Sequence, residues 1–455
     1  MAIQSKNPTT EKVVKKFKEI SDYELERKIS LADDAFKKWR GTSFAERKKL
    51  FLKLAKYLRQ NIEHFTEIQT LEMGKTKKSG ILNMEKCIAL CEYYANNIEK
   101  ILKDEIIKTE ARKSYITFNP LGVVLAIMPW NFPYWQVYRF AIPSLIAGNV
   151  GLLKHASNVP QCAELIEESF RASGFPEGIF QNLLLSSSRV GKVIRNKRVV
   201  AVALTGSEKA GSEVAKIAGE EIKKTVLELG GSDPFIVFAD ADIEYAATNA
   251  VLARLQGNTG QSCISAKRFI VEKSILKEFT EKVVDKFEKL IVGDPKILNT
   301  DVGPLATEQV LKDIEKQLRI SLQKGAKVLT GGKRLKRKGY FYPPTVVINV
   351  VKGMPLYDEE VFGPILSITS FKTEEEAILI ANNTPYGLGA NIFTNNKNRI
   401  ERIIPRIDAG SVFLNGFVKS DVRMPFGGIK KSGFGRELSS YGVKEFMNVK
   451  SVWIK

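Results

Sequence analysis

The chain has 455 residues, 44% of them hydrophobic, and its 70 Lys and Arg outnumber its 51 Asp and Glu to give a net charge of +19. This length exceeds the size at which one hydrophobic core usually divides, so we expect two or three structural units. No uninterrupted apolar run approaches the length of a membrane span, and four scattered cysteines are too few for a disulfide framework. We therefore expect a soluble, cytoplasmic protein.

The positive charge does not by itself predict a nucleic-acid partner. The densest basic run, GGKRLKRKGYFYPP over residues 331–344, is typical of a solvated loop or hairpin. Only two histidines are present, His64 and His155, which disfavours a histidine-based zinc centre or a Ser-His-Asp hydrolase. Cys87 and Cys91 are spaced i, i+4, which indicates packing on one helix face, and we expect no metal site.

The first hundred residues are predicted to be largely helical. Apolar residues recur at helical spacing from Asp22 to Gln69 and again from Lys78 to about Asp104. The alternating segment KSYITFNP (113–120) and the apolar run GVVLAIMPW (122–130) then indicate an extended pair or hairpin followed by a buried strand. Strand and helix patterns alternate from there to KTVLEL, which predicts a parallel, doubly wound sheet.

A second α/β series begins near Gly230 with the strand PFIVF and runs through GSVFLNG. The fold class is therefore α/β, with two doubly wound, Rossmann-like domains that share a cleft. We predict a dinucleotide-binding domain of residues 1–106 and 121–230 and a catalytic domain of residues 231–433. The C-terminal pattern ends as a strand that could pair with residues 113–120 of this or another subunit.

One cysteine stands out by its surroundings. Cys263 lies in LQGNTGQSCISAK, where small polar residues, Gly257 and Gly260 predict an exposed, tightly turned loop that a ligand could approach closely. Buried structural cysteines usually have apolar neighbours instead. The alternative is a loop cysteine without a function.

Three further segments carry candidate groups. Asn131 in IMPWNFPYWQ is a fixed amide donor for an oxyanion, or else a turn cap. Glu228 ends an apolar strand and is a partly desolvated general base, or else a surface carboxylate at a domain boundary. Gly206 and Gly211 flank a helix start in ALTGSEKAG, where the backbone can approach a phosphate. Alternatively, these glycines only form the turn between a strand and a helix. Together these groups suit chemistry on a carbonyl with a dinucleotide.

Nearly the whole chain resembles the aldehyde dehydrogenase superfamily, and most closely its compact succinate-semialdehyde dehydrogenase-like branch. The motifs that carry the resemblance are LEMGK (71–75), PLGVVLAIMPWNFP, LLKHAS, LTGSEKAG, LELGGSDPFIV, GNTGQSC, EEVFGP and MPFGGIKKSGFGRE (424–437). The resemblance implies that Cys263 is the nucleophile and that Asn131 and the Cys263 backbone N–H form the oxyanion site. It further implies that Glu228 activates the water that hydrolyses a thioester, which favours an acid product over transfer to coenzyme A.

The resemblance also implies a set of cofactor-binding residues. These are Ile127, Trp130, Lys154, Ser157, Gly206, Ser207, Gly211, Leu229, Glu360 and Phe362. Ser157 stands where many NAD-preferring relatives have a glutamate, and the absence of that carboxylate removes repulsion against a 2′-phosphate. NADP is therefore favoured over NAD.

For the substrate, the resemblance implies succinate semialdehyde, oxidised to succinate, with Arg139 and Ser420 at the distal carboxylate. A second arginine of many such relatives is Gly257 here, for which Lys419 or Arg423 could compensate. Aliphatic, hydroxy- or aromatic aldehydes are alternatives, as is a catalytically silent binding protein on the same fold. The resemblance implies a homodimer or homotetramer, with residues 107–120 and 440–455 as an oligomerisation segment, and neither nucleic acid nor a membrane is expected as a partner.

Overall fold

The computed structural model of the protein describes residues 3–455. Its strands are β1 (Ile3–Lys6), β2 (Val13–Phe17), β3 (Glu105–Ile106), β4 (Lys113–Pro120), β5 (Val123–Met128), β6 (Val150–His155), β7 (Phe180–Asn182), β8 (Val199–Thr205), β9 (Lys224–Glu228), β10 (Asp233–Val237), β11 (Ala266–Glu272), β12 (Lys327–Thr330), β13 (Thr345–Ile348), β14 (Ile365–Phe371), β15 (Tyr386–Gly387), β16 (Gly389–Phe393), β17 (Ser411–Leu414), β18 (Ile429–Lys430), β19 (Gly433–Phe434) and β20 (Met447–Ile454).

Its α-helices are α1 (Asp22–Trp39), α2 (Phe44–Gln60), α3 (Ile62–Met73), α4 (Lys77–Ile101), α5 (Pro133–Ile146), α6 (Pro160–Ala172), α7 (Val190–Arg195), α8 (Glu208–Glu220), α9 (Ile243–Leu255), α10 (Leu276–Glu288), α11 (Glu308–Gln323), α12 (Pro355–Asp358), α13 (Glu374–Asn382), α14 (Lys397–Ile403) and α15 (Ser439–Glu445). Within residues 3–455, no helix is both long enough and apolar enough to cross a membrane.

The N-terminal helices begin where the sequence supplies caps. Ser21 caps α1, and Ser43 and Glu46 form a reciprocal capping box at the start of α2. Each of these helices buries one apolar face, and α4 packs against both α2 and α5. Cys87 and Cys91 lie on the buried face of α4, as their spacing predicts.

The first sheet has the strand order β19-β9-β8-β5-β6-β7, and all its pairs are parallel except β19 with β9. The chain runs from β5 to β6 and β7 on one side, then returns to place β8 and β9 on the other side of β5. The strand order therefore reverses between β5 and β8, and the crevice outside the carboxyl ends of strands at such a point is where open α/β sheets bind ligands.

The second sheet has the order β12-β13-β14-β11-β10-β16-β17 and is parallel apart from its β12–β13 edge. Helices α9, α10 and α13 contact its strands. The prediction of an α/β fold with two parallel, doubly wound sheets is thus confirmed. The exact domain boundaries stay a prediction.

A third, three-stranded sheet has the order β20-β4-β3. Strand β20 pairs antiparallel with β4 over eight residues, from Met447 opposite Pro120 to Ile454 opposite Lys113. The C-terminal strand therefore pairs with residues 113–120 of its own chain, and β5 belongs to a different sheet from β4. The free edge of β20 and the 53% exposed Trp453 leave one side of this sheet uncovered in the single chain.

Candidate active site

The loop between α9 and β11 holds Cys263 and is tightly turned, as its glycines predict. Gln256, Gly257, Thr259 and Gly260 all have left-handed backbone conformations. Any side chain at Gly260 would clash with the carbonyl oxygen of Gly363. The loop therefore has to be built from very small residues where it touches the neighbouring backbone.

The expectation that this loop is exposed is wrong. Asn258, Gln261 and Ser262 are each at most 3% exposed, because the polar side chains bond within the protein instead of to water. The Asn258 side chain donates to the carbonyls of Asn131 (2.7 Å) and Gln261 (3.0 Å), and the Gln261 side chain accepts from the Ala306 N–H (2.9 Å). This network fixes the backbone on which Cys263 sits.

Two cavities meet at Cys263. A larger one, of about 430 Å³, extends from the thiol past Trp135 and Phe417 toward Leu82 and Leu252. A smaller one, of about 230 Å³, lies on the other side of the thiol, between the carboxyl ends of β5 and β8. We call these the outer cavity and the inner cavity. A thiol in this position can be reached by two different molecules from two directions.

Asn131 lines the inner cavity together with Cys263. Its amide nitrogen donates to the Gln261 carbonyl at 3.1 Å, which occupies one of the two amide hydrogens. The backbone N–H of Cys263 donates to no other group in residues 3–455. An amide hydrogen and a backbone N–H thus remain as donors for an oxygen that gains negative charge beside the sulfur.

Glu228 is placed differently, because it lines neither cavity. Its side chain is 2% exposed, and neither carboxylate oxygen has a hydrogen-bond partner in the part of the chain described. One of these oxygens lies against Gly427, where an added Cβ would be 2.6 Å from it. Burial raises the pKa of Glu228 well above its usual value, the charge of Glu437 adds to this, and Arg139 opposes it.

The thiol of Cys263 is also affected by burial. Desolvation raises its pKa to about 12, and the positive charges of Lys267 and Arg139 act in the opposite direction. Lys267 is a residue that the sequence analysis missed. Its ammonium donates to the carbonyls of Ser262 (2.8 Å) and Cys263 (2.6 Å) and lies 3.6 Å from the Glu360 carboxylate. No distinct sequence signal marks it, because Lys267 stands directly before Arg268 in the strand AKRFIVE.

Six of the ten predicted cofactor residues line the inner cavity: Trp130, Gly206, Ser207, Leu229, Glu360 and Phe362. Ser207 caps α8, so the free N–H groups of that helix begin beside the cavity. The Glu360 carboxylate accepts the Gly231 N–H at 3.0 Å, which fixes its position at the cavity wall.

The other four predicted cofactor residues lie outside this cavity. Ile127 and Lys154 are register partners on β5 and β6, and Ser157 follows the carboxyl end of β6. Gly211 lies inside α8 and packs against Leu229, whose side chain would be 2.6 Å from an added Cβ. The structure thus gives Gly211 a packing role, since the close approach of α8 to Leu229 leaves no space for a side chain.

The two predicted substrate residues both line the outer cavity, but they have different partners. Arg139 is 2% exposed and forms an ion pair with Glu437, while its guanidinium lies 4.5 Å from the centre of the Phe426 ring. Ser420 accepts a hydrogen bond of 2.6 Å from Lys86, a second residue that the sequence analysis missed. Arg423 pairs with Asp421, whereas Lys419 belongs to the cavity wall.

The chain is similar to known proteins over its whole length. Residues 1–452 match the model of the aldehyde dehydrogenase family. A probable succinate-semialdehyde dehydrogenase (NADP+) from Synechocystis is 49% identical over 454 residues and covers all of both chains. A succinate-semialdehyde dehydrogenase (NADP+) from Mycobacterium tuberculosis is 50% identical over 457 residues, again with full coverage of both chains.

Solved structures are similarly close. The succinic semialdehyde dehydrogenase of Streptococcus pyogenes, solved in complex with NADP+, superposes with a TM-score of 0.97 at 37% identity and full coverage of both chains. The protein Gox0499 superposes with a TM-score of 0.98 at 38% identity, also with full coverage of both chains. On the family match and these identities, the chain belongs to the aldehyde dehydrogenase family.

Proposed function

We propose that this protein oxidises succinate semialdehyde to succinate with NADP+, through a covalent intermediate on Cys263. The observation that carries the proposal is the position of Cys263 between two cavities, of about 430 and 230 Å³. An aldehyde in the outer cavity and a nicotinamide in the inner cavity can then meet at one sulfur. The relatives from Synechocystis and Mycobacterium tuberculosis, both named as NADP+ enzymes for this substrate, support the choice of substrate and cofactor.

The residues around the inner cavity fit a dinucleotide. The cavity lies at the point where the strand order reverses, and the start of α8 offers backbone N–H groups for a pyrophosphate. Lys154 forms no ion pair within residues 3–455, so its charge is available for a 2′-phosphate. Residue 157 is a serine, so no carboxylate at that position repels the phosphate. When bound, the cofactor accepts the hydride that leaves the substrate.

In the first half of the reaction, Cys263 gives up its proton to solvent water and its sulfur bonds to the aldehyde carbon. The carbonyl oxygen becomes an oxyanion, and the Asn131 amide and the Cys263 N–H donate hydrogen bonds to it. Lys267 holds the carbonyls of Ser262 and Cys263, which orients that backbone N–H. Loss of hydride from the adduct leaves a thioester on Cys263.

In the second half, Glu228 takes a proton from water, the water oxygen bonds to the thioester carbon, and the carbon–sulfur bond breaks. The acid leaves, and the Cys263 thiolate takes the proton back from Glu228, which regenerates both residues. Because Glu228 lines neither cavity, its side chain has to turn from Gly427 toward the sulfur for this step. Its raised pKa makes the ionised Glu228 a stronger base than an ordinary carboxylate.

We also propose that the protein works as a homodimer or homotetramer in the cytoplasm. The free edge of β20 and the exposed side chains of Val449 and Trp453 support pairing of this strand with a second subunit. All four cysteines are free thiols, which suits a reducing compartment.

The experiment that tests the proposal compares kcat/KM for succinate semialdehyde and butanal, each with NADP+ and NAD+ and without coenzyme A. We expect a large preference for succinate semialdehyde and for NADP+, with the free acid as product. Equal activity on both aldehydes would replace the proposal with a broad aldehyde oxidiser. A product that forms only with coenzyme A would overturn the hydrolytic half. Cys263→Ala should abolish turnover and retain cofactor binding.

A further inference from the structure

The wall of the outer cavity is unevenly charged. Four cationic side chains contribute to it, Lys78, Lys86, Arg139 and Lys419, against the single acid Asp301. Lys78, Lys419 and Asp301 are exposed, whereas Lys86 is half-buried and Arg139 is buried. Charges held away from water interact more strongly with a bound ion than exposed ones do. The inner pair of cations therefore decides which anion the cavity prefers.

Arg139 is already neutralised. Glu437 forms an ion pair with it, and Thr205 accepts a further hydrogen bond from the guanidinium at 3.4 Å. The Phe426 ring covers the guanidinium at 4.5 Å. To bind a substrate carboxylate, Arg139 would have to share its charge with a second acid or release Glu437 into a buried site without a counterion. Either change is costly.

Lys86 has no such partner. No carboxylate lies within ion-pair distance of its ammonium in residues 3–455, and its one hydrogen bond is the donation to Ser420 at 2.6 Å. The ammonium also lies 4.2 Å from the centre of the Trp135 ring, which holds it on the cavity side of α4. An ammonium has three donors, so two remain for a ligand, and the Ser420 hydroxyl can donate to the same ligand.

We propose that Lys86, together with the Ser420 hydroxyl, binds the distal carboxylate of the aldehyde substrate, while Arg139 acts as a positioning residue that neutralises Glu437. This inference rests on the proposed function, because it names the side chain that selects an acidic aldehyde in the same site. It replaces Arg139, which the sequence favours for this contact, by a residue on α4 that contacts Ser420 across the cavity wall.

The environment of Lys86 supports this assignment. Burial lowers its pKa to about 8, the charges of Arg139 and Lys419 act in the same direction, and Cys87 and Asp421 oppose it. A bound carboxylate stabilises the charged form and raises the pKa again. The KM for succinate semialdehyde should therefore increase as the pH rises above about 8. Butanal has no carboxylate, so its KM should not depend on the charge of Lys86.

The test replaces Lys86 by methionine, which keeps a similar length and removes the charge. We expect the ratio of kcat/KM for succinate semialdehyde to kcat/KM for butanal to fall at least about tenfold, because a charge-assisted hydrogen bond is lost. The change should lie in KM more than in kcat. Lys86→Arg should recover most of the ratio, and Lys100→Met is the matched control, since it removes a charge from the exposed end of the same helix.

The outcomes separate the two proposals. A wild-type enzyme that treats both aldehydes equally overturns the proposed function and the Lys86 site with it. A wild-type enzyme that prefers succinate semialdehyde, combined with a Lys86→Met enzyme that keeps this preference, overturns the Lys86 site alone. If Lys86→Met does not fold, Ser420→Ala tests the same contact without a change in α4, and an unaltered ratio there has the same meaning.

Discussion

Arg139 and Glu437 form an ion pair that is almost closed to solvent, with side-chain exposures of 2% and 7%. The charges of both residues act on Glu228, the arginine lowering its pKa and the glutamate raising it. The pair therefore influences the charge around the proposed general base, and its arginine lines the outer cavity.

Arg139→Met should reduce activity on succinate semialdehyde and on butanal by similar factors. Its loss leaves Glu437 without a counterion and removes a charge that lowers the pKa of Glu228. Breaking a buried pair costs about 3–5 kcal/mol, so Tm should fall clearly. Arg195→Met, which breaks the half-exposed pair with Glu220, is the control and should cost at most about 1 kcal/mol. A loss of activity on succinate semialdehyde alone would mean that Arg139 binds the substrate carboxylate.

Glu437→Gln should shift the pH profile of kcat. Glu228 acts as a base only when ionised, and burial raises its pKa, so kcat of the wild-type enzyme should increase with pH. Removing the Glu437 charge lowers the pKa of Glu228, both directly and by leaving Arg139 unpaired. The ascending limb should move to lower pH by about one unit, measured at saturating substrate. A limb that stays in place would mean that another group controls it.

Lys267→Met should slow turnover of both aldehydes by about tenfold or more, because the Ser262 and Cys263 carbonyls lose the donor that orients the Cys263 N–H. The thiol should also become less reactive, since Lys267 lowers the pKa of Cys263. The rate of alkylation by iodoacetamide measures this second effect independently of turnover. Lys267→Arg keeps the charge and should restore part of the alkylation rate. Alkylation at the wild-type rate in the methionine variant would contradict the electrostatic part of the argument.

Ser157→Glu should change the choice of cofactor. A carboxylate after β6 repels a 2′-phosphate and can accept from a 2′-hydroxyl, so KM for NADP+ should rise at least about tenfold relative to KM for NAD+. Ser274→Glu adds the same charge at an exposed position between β11 and α10 and serves as the control. Equal changes in KM for NADP+ and NAD+ would mean that the 2′-phosphate does not bind near residue 157.

The parts of the fold that the sequence predicts are those set by local patterns. From β5 to β9, apolar runs of strand length alternate with helical spacing, and the structure contains the corresponding elements. The N-terminal hairpin of β1 and β2 escaped prediction because VVKKF is charged and largely exposed, so it lacks the apolar alternation of a half-buried strand. Helix α11 was also not predicted, although its apolar residues recur at helical spacing.

The candidate site likewise contains residues that the sequence indicates and residues that it does not. Cys263 and Asn131 stand in unusual local sequences, which is why the sequence indicates them and why they line one cavity. Lys86 and Lys267 look ordinary in sequence, since each is a lysine in a regular helix or strand. Their significance comes from contacts over distance: Lys86 meets Ser420 across 334 positions of the chain. No local pattern encodes such a contact, and charge counts alone cannot distinguish a buried lysine from a solvated one.

The contact between Gly260 and the Gly363 carbonyl has a consequence for redesign of this enzyme. The loop that carries Cys263 and the loop after Glu360 touch backbone to backbone, so neither can be lengthened or diversified without displacing the other. A library aimed at new aldehydes should therefore leave residues 257–263 and 360–363 untouched. Leu82 and Leu252 are better starting positions, because both are at least half exposed at the rim of the outer cavity and can change size without disturbing either loop.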